Sequence, residues 1–288
     1  MTACILDGKK LALELEESLK PRIAALLKKK VKPCLAVIMA GENDASWVYV
    51  ARKEEACKRL GIASKRIELP ESVTEGRILK EIKKLNNDKK VHGILVQLPL
   101  PAGIDKAKAI EAIAPEKDVD GFTPHNLGLL ALGTERLAPC TPKGVLKFME
   151  SAGKKFEGTK MCVVGHGLAA GLPLAVMLVN RGCTVSVCDK FTQNLGKETS
   201  QADILISCAG VPGLIKKEMV KWGAVVIDVG TTLVEGKLKG DVDFAAVKEK
   251  ASFITPVPGG VGPMTVACLM ENTVIAAEGI AFGSGVKK

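Results

Sequence analysis

Aromatic side chains are scarce in this sequence: phenylalanine, tyrosine and tryptophan make up 3% of its 288 residues. Aliphatic packing must therefore fill whatever core the chain builds. Nine cysteines are present, but their number is odd, they are scattered, and no C-x-x-C pair occurs. That pattern argues against a disulfide frame and a cysteine-ligated zinc site, and for a reducing compartment. His92 and His125 have no carboxylate or cysteine at metal spacing, so they read as structural or surface residues and no metal is expected. There is no nucleophile elbow, P-loop or H-E-x-x-H. No segment approaches about 20 uninterrupted apolar residues, so no membrane span is expected. The opening stretch, MTACILDGKKLALELEES, lacks the basic-then-apolar layout of a secretory signal. A cytoplasmic protein is the expectation.

What is there suits a soluble globular protein. Hydrophobic residues are 47% and charged residues 25% of the chain, enough for a sizeable core in one large or two ordinary domains. The formal charge is +9, yet the lysines are dispersed and not interleaved with aromatics, so a nucleic-acid partner is not expected. A solvated basic surface explains most of the charge. Attraction for a small polyanionic substrate or cofactor explains the rest.

Three short apolar runs, CLAVIMAG, SKRIELP and GILVQLPL, occupy the first third. The first and third are continuous, as in parallel strands covered on both faces. Helical periodicity lies beside them at residues 9–30, 45–60, 74–86 and 105–113. A second series follows: KMCVVG, CTVSVCD, ADILISCAG and GAVVIDVG, with helices expected near 171–182, 195–201 and 214–221. Strand–helix alternation of this kind predicts α/β layers with right-handed crossovers. The segments APCTPKGVLKFMES and ITPVPGGVGPMT read as connections between the two series. The expected architecture is two α/β domains flanking a cleft, the second a Rossmann-type dinucleotide-binding domain. Residues 1–143 form the first domain, completed by a C-terminal helix within 264–288, and residues 144–263 the second.

One lysine stands out. In DASWVYVARK a helix begins, with Asp44 or Ser46 placed to cap it. At about 100° per residue, Ser46, Tyr49, Val50, Lys53, Cys57 and Leu60 share one stripe, while Arg52, Glu55, Lys58 and Arg59 face away. A lysine on such a stripe ordinarily snorkels to water. Here a polar Gln97 also interrupts the buried-type run ILVQLP, and PEKDVDGF sets Asp120 in a turn after the same sheet. Ligands in βαβ sheets bind beyond the carboxyl ends of the strands, where these groups converge. Desolvation would lower the lysine's pKa until it can act as a base, which an arginine could not do. Gln97 could pair with the amine without adding charge, Tyr49 offers a flat face, and Asp120 can accept N–H donors from a heterocycle.

The stretch VVGHGLAAG places Gly165, Gly167 and Ala170 in G-x-G-x-x-A spacing, after a strand and opening a helix. Backbone N–H groups there can cradle a pyrophosphate. Asp189 ends the next strand at the distance a ribose contact requires. It favours NAD by repelling a 2′-phosphate, whereas His166 and Lys190 are placed to bind one. The segment TPVPGGVGPMT is stiffened by Pro256, Pro258 and Pro263 and opened by Gly259, Gly260 and Gly262, as a structured linker or a cleft wall would be.

Taken together, ASWVYVARK, GILVQLPLP, KDVDGF, PCTPKG, VIDVG, GDVDF and TPVPGGVGPMT resemble the bifunctional methylenetetrahydrofolate dehydrogenase/methenyltetrahydrofolate cyclohydrolase family over essentially the whole chain. The resemblance implies that Lys53 is catalytic, with Gln97 as its partner, Tyr49 stacking on the folate and Asp120 holding the pterin. It also implies folate contacts from Ser46, the Val96–Gln97–Leu98 backbone, and Pro258, Gly259, Gly260, Val261, Gly262 and Pro263. The cofactor is expected at Gly165, His166, Gly167, Ala170, Asp189, Lys190 and Thr231. NADP is the family's usual dinucleotide, but His166 replaces a common arginine, Asp189 and Lys190 a polar or basic pair, and Thr231 a common isoleucine, which brings in NAD. A homodimer paired through the dinucleotide domains is implied as well. The implied reaction oxidises 5,10-methylenetetrahydrofolate to the 5,10-methenyl cation and hydrolyses that to 10-formyltetrahydrofolate. Two other readings stay open: a dehydrogenase of the same fold with one activity, and a folate- or dinucleotide-binding protein without turnover.

Overall fold

Continuous apolar runs become parallel strands with both faces covered, as their composition requires. The structure, a computed structural model, describes residues 2–41 and 44–282, with side chains throughout except at 44–46. The chain opens with β1 (Cys4–Ile5), α1 (Gly8–Lys28), β2 (Cys34–Ala40), α2 (Asp44–Leu60), β3 (Ala63–Leu69), α3 (Glu75–Asn87) and β4 (Gly93–Val96). It continues through α4 (Lys106–Glu111), α5 (Pro124–Ala131) and α6 (Cys140–Ser151). Next come β5 (Lys160–Val164), α7 (Gly171–Val179), β6 (Thr184–Cys188), α8 (Leu195–Thr199), β7 (Ile204–Ser207) and β8 (Val225–Asp228). A hairpin of β9 (Thr232–Val234) and β10 (Lys237–Lys239), then α9 (Phe244–Val247), β11 (Phe253–Ile254) and α10 (Val261–Phe282), complete the path.

Two units result. The three-stranded unit comprises Leu13–Leu129, Glu135–Cys140 and Val266–Lys288; the six-stranded unit comprises Met1–Ala12, Leu130–Thr134 and Thr141–Thr265. In the first, parallel strands run in the order β3-β2-β4, and every residue of central β2 is buried. Helix α3 starts where the Thr74 hydroxyl accepts from Arg77 N–H and buries Ile78, Ile82 and Leu85. Its far end is closed by a buried lysine: Lys117 Nζ donates to the carbonyls of Leu85, Asn86 and Asp88 at 3.0, 2.8 and 2.9 Å. These are the orphan acceptors that a helix C-terminus always leaves.

In the six-stranded unit the order is β1-β11-β8-β7-β5-β6, all parallel. The chain steps from β5 outward to β6, then crosses to β7 and β8 on the other side. A topological switch point therefore lies at the carboxyl ends of β5 and β7, the place where such sheets take ligands.

The structure corrects several expectations. Residues 1–12 do not belong with the first domain, because β1 pairs with β11 at Cys4↔Phe253 and Ile5↔Ile254. A boundary at residue 143 would cut α6, which the sequence reading took for a connection. Pro142 sits in that helix's first turn, where its missing N–H is harmless, and Val145, Leu146, Phe148 and Met149 are buried. The helix expected at 214–221 shrinks to a 3-10 turn at Lys217–Met219, because Ile215 bridges to Val242 instead. Finally α10, with 22 residues and a mean hydropathy of 1.3, is long and apolar enough to cross a membrane. Half of that stretch is buried inside the protein, so tertiary packing accounts for its apolar character.

Candidate active site

Helix α2 is held down by its apolar stripe: Val50, Ala56, Cys57 and Leu60 are all buried. Burial of Val50 and Leu60 contributes about 1.5–3 kcal/mol each, so the helix is committed whatever stands between them. Lys53 is what stands between them. It is half-buried as a residue, and its Nζ donates to Gln97 Oε1 at 2.9 Å. Gln97 follows β4 directly; its own N–H donates to Ile38 O at 2.9 Å, and its Nε2 donates to Leu98 O at 2.8 Å. The amide is thus pinned at both ends, and it presents an oxygen to the amine. Tyr49, one turn earlier, is half-buried, with the Arg52 guanidinium 5.8 Å from its ring centre.

Burial pushes the Lys53 pKa below its ordinary value; the charges of Asp120 and Cys140 oppose that and do not prevail. The same desolvation raises Asp120, against the Lys53 charge and the Cys140 hydrogen bond that lower it and with the Asp118 charge that adds to it. Each group favours the other's charged form, yet the low-dielectric surround drives both toward neutrality.

The turn carrying Asp120 is fastened by residues that sequence reasoning passed over. Asp118, 1% exposed, accepts from Gly121 N–H at 2.9 Å on one oxygen, and from Thr123 N–H at 2.7 Å and Asn126 Nδ2 at 2.9 Å on the other. From α10, fully buried Asn272 donates through Nδ2 to Val119 O at 2.9 Å and Ala138 O at 2.8 Å. Cys140 Sγ reaches Val119 O at 3.3 Å. Gly121 is left-handed at φ +76, and a Cβ there would collide with the Ala138–Pro139 backbone. The D-x-D pattern in KDVDGF was the available signal: one carboxylate builds the turn and the other is presented by it.

In the six-stranded unit the turn after β5 departs from the expected glycine spacing. Gly165 is left-handed at φ +91, and its missing Cβ would lie 2.6 Å from Cys208 O. Gly171 is equally obligatory, since a Cβ there would land on the Gly165 carbonyl. Gly167 stands in open space and Ala170 precedes α7 without a side-chain cap, so the third constrained position is Gly171 rather than Ala170. Asp189, after β6, accepts from Phe191 N–H at 2.9 Å, and its other oxygen lies 3.2 Å from His166 Nε2. The Phe191 N–H first, and His166 after it, hold the Asp189 pKa below the ordinary carboxylate value. Sequence reasoning set His166 and Asp189 in opposition; the structure pairs them. Lys190 instead lies over the Phe191 ring at 5.0 Å, and Thr231 donates to Val229 O at 3.2 Å.

Pro258 to Pro263 belong to the six-stranded unit and lead into α10. Gly260 needs to be glycine, because a Cβ would lie 2.5 Å from Pro256 O, whereas Gly262 stands in open space. Val96 is buried, so only its backbone is available. The side chain of Ser46, and any capping by Asp44 or Ser46, lie outside the described residues. His92 is buried with an unpartnered Nδ1, and His125 is exposed. Among the described residues no group of three or more histidine, cysteine, aspartate or glutamate side chains is placed to hold a metal.

A part-buried amine of lowered pKa and a turn free of side chains after a parallel strand suit a dinucleotide-dependent oxidoreductase that also moves protons. Comparison with known proteins makes that class specific. The tetrahydrofolate dehydrogenase/cyclohydrolase catalytic-domain model matches residues 6–120, and the NAD(P)-binding-domain model of the same name matches 139–281. The bifunctional protein FolD of Nitrosospira multiformis is 50% identical, over 96% of this chain and 97% of its own. The crystal structure of the bifunctional FolD enzyme of Campylobacter jejuni superposes with a TM-score of 0.94 at 48% identity, covering 96% of this chain and 99% of that one. The Trypanosoma brucei enzyme, complexed with NADP and an inhibitor, gives 0.92 at 38% identity and covers 96% and 98%. The chain belongs to the tetrahydrofolate dehydrogenase/cyclohydrolase family, and it is an enzyme with both an oxidising and a hydrolysing activity.

Proposed function

We propose that Lys53, as a neutral amine, is the group through which one site performs both reactions. The first oxidises 5,10-methylenetetrahydrofolate to the 5,10-methenyl cation; the second hydrolyses it to 10-formyltetrahydrofolate. The observation that carries this reading is the part-buried Lys53 amine, 2.9 Å from Gln97 Oε1, in a surround that lowers its pKa. An ammonium beside the forming cation would raise the barrier by like-charge repulsion. The neutral amine avoids that repulsion, then takes a proton from the water that bonds to the methenyl carbon. That proton is available to the ring nitrogen whose bond to the carbon breaks. Gln97 keeps the amine aimed without adding charge, Asp120 accepts N–H donors of the pterin, and Tyr49 supplies a face for its ring.

A bound nicotinamide dinucleotide supplies the hydride acceptor. The residues fit one: Gly165 and Gly171 leave the turn after β5 free of side chains, and His166 and Asp189, 3.2 Å apart, are the pair that would meet the adenosine ribose. The NADP found in the Trypanosoma brucei relative supports NADP here, with His166 facing the 2′-phosphate and Asp189 favouring NAD in competition. The His166→Arg/Asp189→Ser variant is expected to shift kcat/KM toward NADP by about 10-fold. Steady-state rates with each dinucleotide measure the shift, and an unchanged ratio would mean the ribose lies elsewhere. The same assay tests the function. Added methylenetetrahydrofolate should give reduced cofactor and only transient methenyl absorbance; absence of reduced cofactor with both NAD and NADP sinks the reading.

We also propose a homodimer through the six-stranded unit, in the cytoplasm. Edge strand β6 exposes Val187 at 46%, and α7 exposes Leu172 and Val179 at 47% and 59%. An apolar edge of that kind calls for cover. Sedimentation should give twice the chain mass, and Val187→Lys should halve it; a monomeric parent removes the proposal. Nine free thiols support the reducing location.

A further inference from the structure

A second pair of carboxylates, which neither reaction uses, lies at the carboxyl ends of β7 and β8, with Asp228 the last residue of β8. Asp228 and Asp241 are 3% and 0% exposed. Asp228 Oδ1 accepts from the N–H groups of Gly230 and Asp241, both at 3.0 Å, and its Oδ2 accepts from Val242 N–H at 2.9 Å. Asp241 Oδ2 accepts from the Ser207 hydroxyl at 2.9 Å, Ala209 N–H at 2.8 Å and Gly210 N–H at 3.1 Å. Its Oδ1 is buried without a partner. That oxygen is packed against Gly230, where a Cβ would collide with it.

Burying two like charges is unfavourable unless donors compensate, and even then an apolar pair often does as well. The place of the donors gives the arrangement its meaning. Ala209 and Gly210 continue β7, and Gly230 follows β8; the segment around Asp241 returns beside them, with Ile215 N–H donating to Asp241 O at 2.9 Å. The loop after β7 is the wall against which the glycine turn closes. A Cβ on Gly165 would lie 2.6 Å from Cys208 O and 2.9 Å from Ala209 N. The two loops that meet at the switch point are therefore in contact, and one of them hangs from Asp241.

We propose that Asp241 is a positioning residue for the dinucleotide: its carboxylate sets the Ala209–Gly210 backbone against the Gly165 turn, and Asp228 fixes the backbone of Asp241. The proposal rests on reading the six-stranded unit as the dinucleotide unit. It predicts a split between the two activities, because hydrolysis of methenyltetrahydrofolate needs no dinucleotide.

In Asp241→Asn one acceptor oxygen becomes an NH2, which must face either the Ala209 and Gly210 N–H groups or Gly230. The expected result is a rise of about 10-fold in the KM for NAD and NADP. Cyclohydrolase kcat, assayed from methenyltetrahydrofolate without dinucleotide, should stay within about 2-fold of the parent. An unchanged dinucleotide KM in the folded variant overturns the proposal. Should Asp241→Asn fail to fold, Ser207→Ala decides, since it removes a single hydrogen bond to the same oxygen. It should raise the dinucleotide KM by about 3-fold with hydrolysis intact, and no rise again overturns the proposal. Gly165→Val separates the underlying reading: dinucleotide affinity that survives this substitution shows that the cofactor does not bind at the turn at all.

Discussion

Lys53→Met lowers the cyclohydrolase kcat by about 10²–10⁴-fold, the range a positioned base contributes, and leaves folate binding intact. Methionine keeps most of the length and the apolar stem of lysine, so the packing of Val50, Cys57 and Leu60 is retained. Only the proton acceptor is lost. In the parent enzyme the hydrolysis rate should rise with pH and level off below the ordinary lysine value of 10.5, because burial lowers the folded-state pKa. The effect on stability has a definite sign. A cation whose folded pKa is depressed binds more protons in the unfolded chain. Stability therefore increases with pH between the depressed value and the ordinary one. Lys53→Met should abolish that slope and raise stability at neutral pH. Titration of hydrolysis and urea melts across pH read both effects; a variant that hydrolyses at the parental rate removes the lysine from the mechanism.

Asp118→Ala destabilises the protein by about 3 kcal/mol and raises the KM for the folate with it. The Asp118 carboxylate is almost wholly buried and accepts three hydrogen bonds, from Gly121, Thr123 and Asn126. Hydrogen bonds to a charged group contribute about 1.5–3 kcal/mol each, and a buried donor stripped of its acceptor costs about 1–3 kcal/mol. The sum is reduced because the three share one carboxylate and the loop can relax. Even so, the loss is a large part of the roughly 5–15 kcal/mol that holds a domain folded. Asp120 is presented by the same turn, so its carboxyl moves when the turn loosens. Denaturant midpoints and folate KM should change together. An Asp118→Ala protein as stable as the parent would show that Asn272 alone holds the turn. Asp120→Asn, by contrast, should change the folate KM with little loss of stability, since the pull of burial on its pKa is toward the neutral form.

How much of this was legible in the chain differs from residue to residue. Lys53 could be found because periodicity is local: a helix places every third or fourth residue on one face, and a lysine among Tyr49, Val50 and Cys57 violates the pattern. Gln97 could be found the same way, as a polar residue inside a buried-type run. Asp120 was distinguishable as a turn residue, but nothing local separated its role from that of Asp118 two positions earlier. That separation depends on which carboxylate bonds Thr123 and Asn126 and which lies in the field of the amine. The glycine turn was legible as a turn; which of its glycines are obligatory was not, because Gly171 is constrained by the Gly165 carbonyl rather than by its neighbours in sequence. The two-residue strands β1 and β11 carry too little pattern to read, and they exist through their pairing with each other and with β8.

The sequence by itself determined the α/β class, the two series of parallel strands, the membership of the family and the lysine to which the chemistry is assigned. Each of these is written in spacing along one segment, or in motifs a few residues long. Tertiary structure alone decided the assignment of residues 2–12 to the six-stranded unit and the pairing of His166 with Asp189. It alone decided the roles of Asn272, Asp118 and Asp241 as supports. Those are contacts between residues from 3 to 153 positions apart. A buried carboxylate or amide acquires its meaning from the donors and acceptors that folding brings to it, and no local pattern records which they will be.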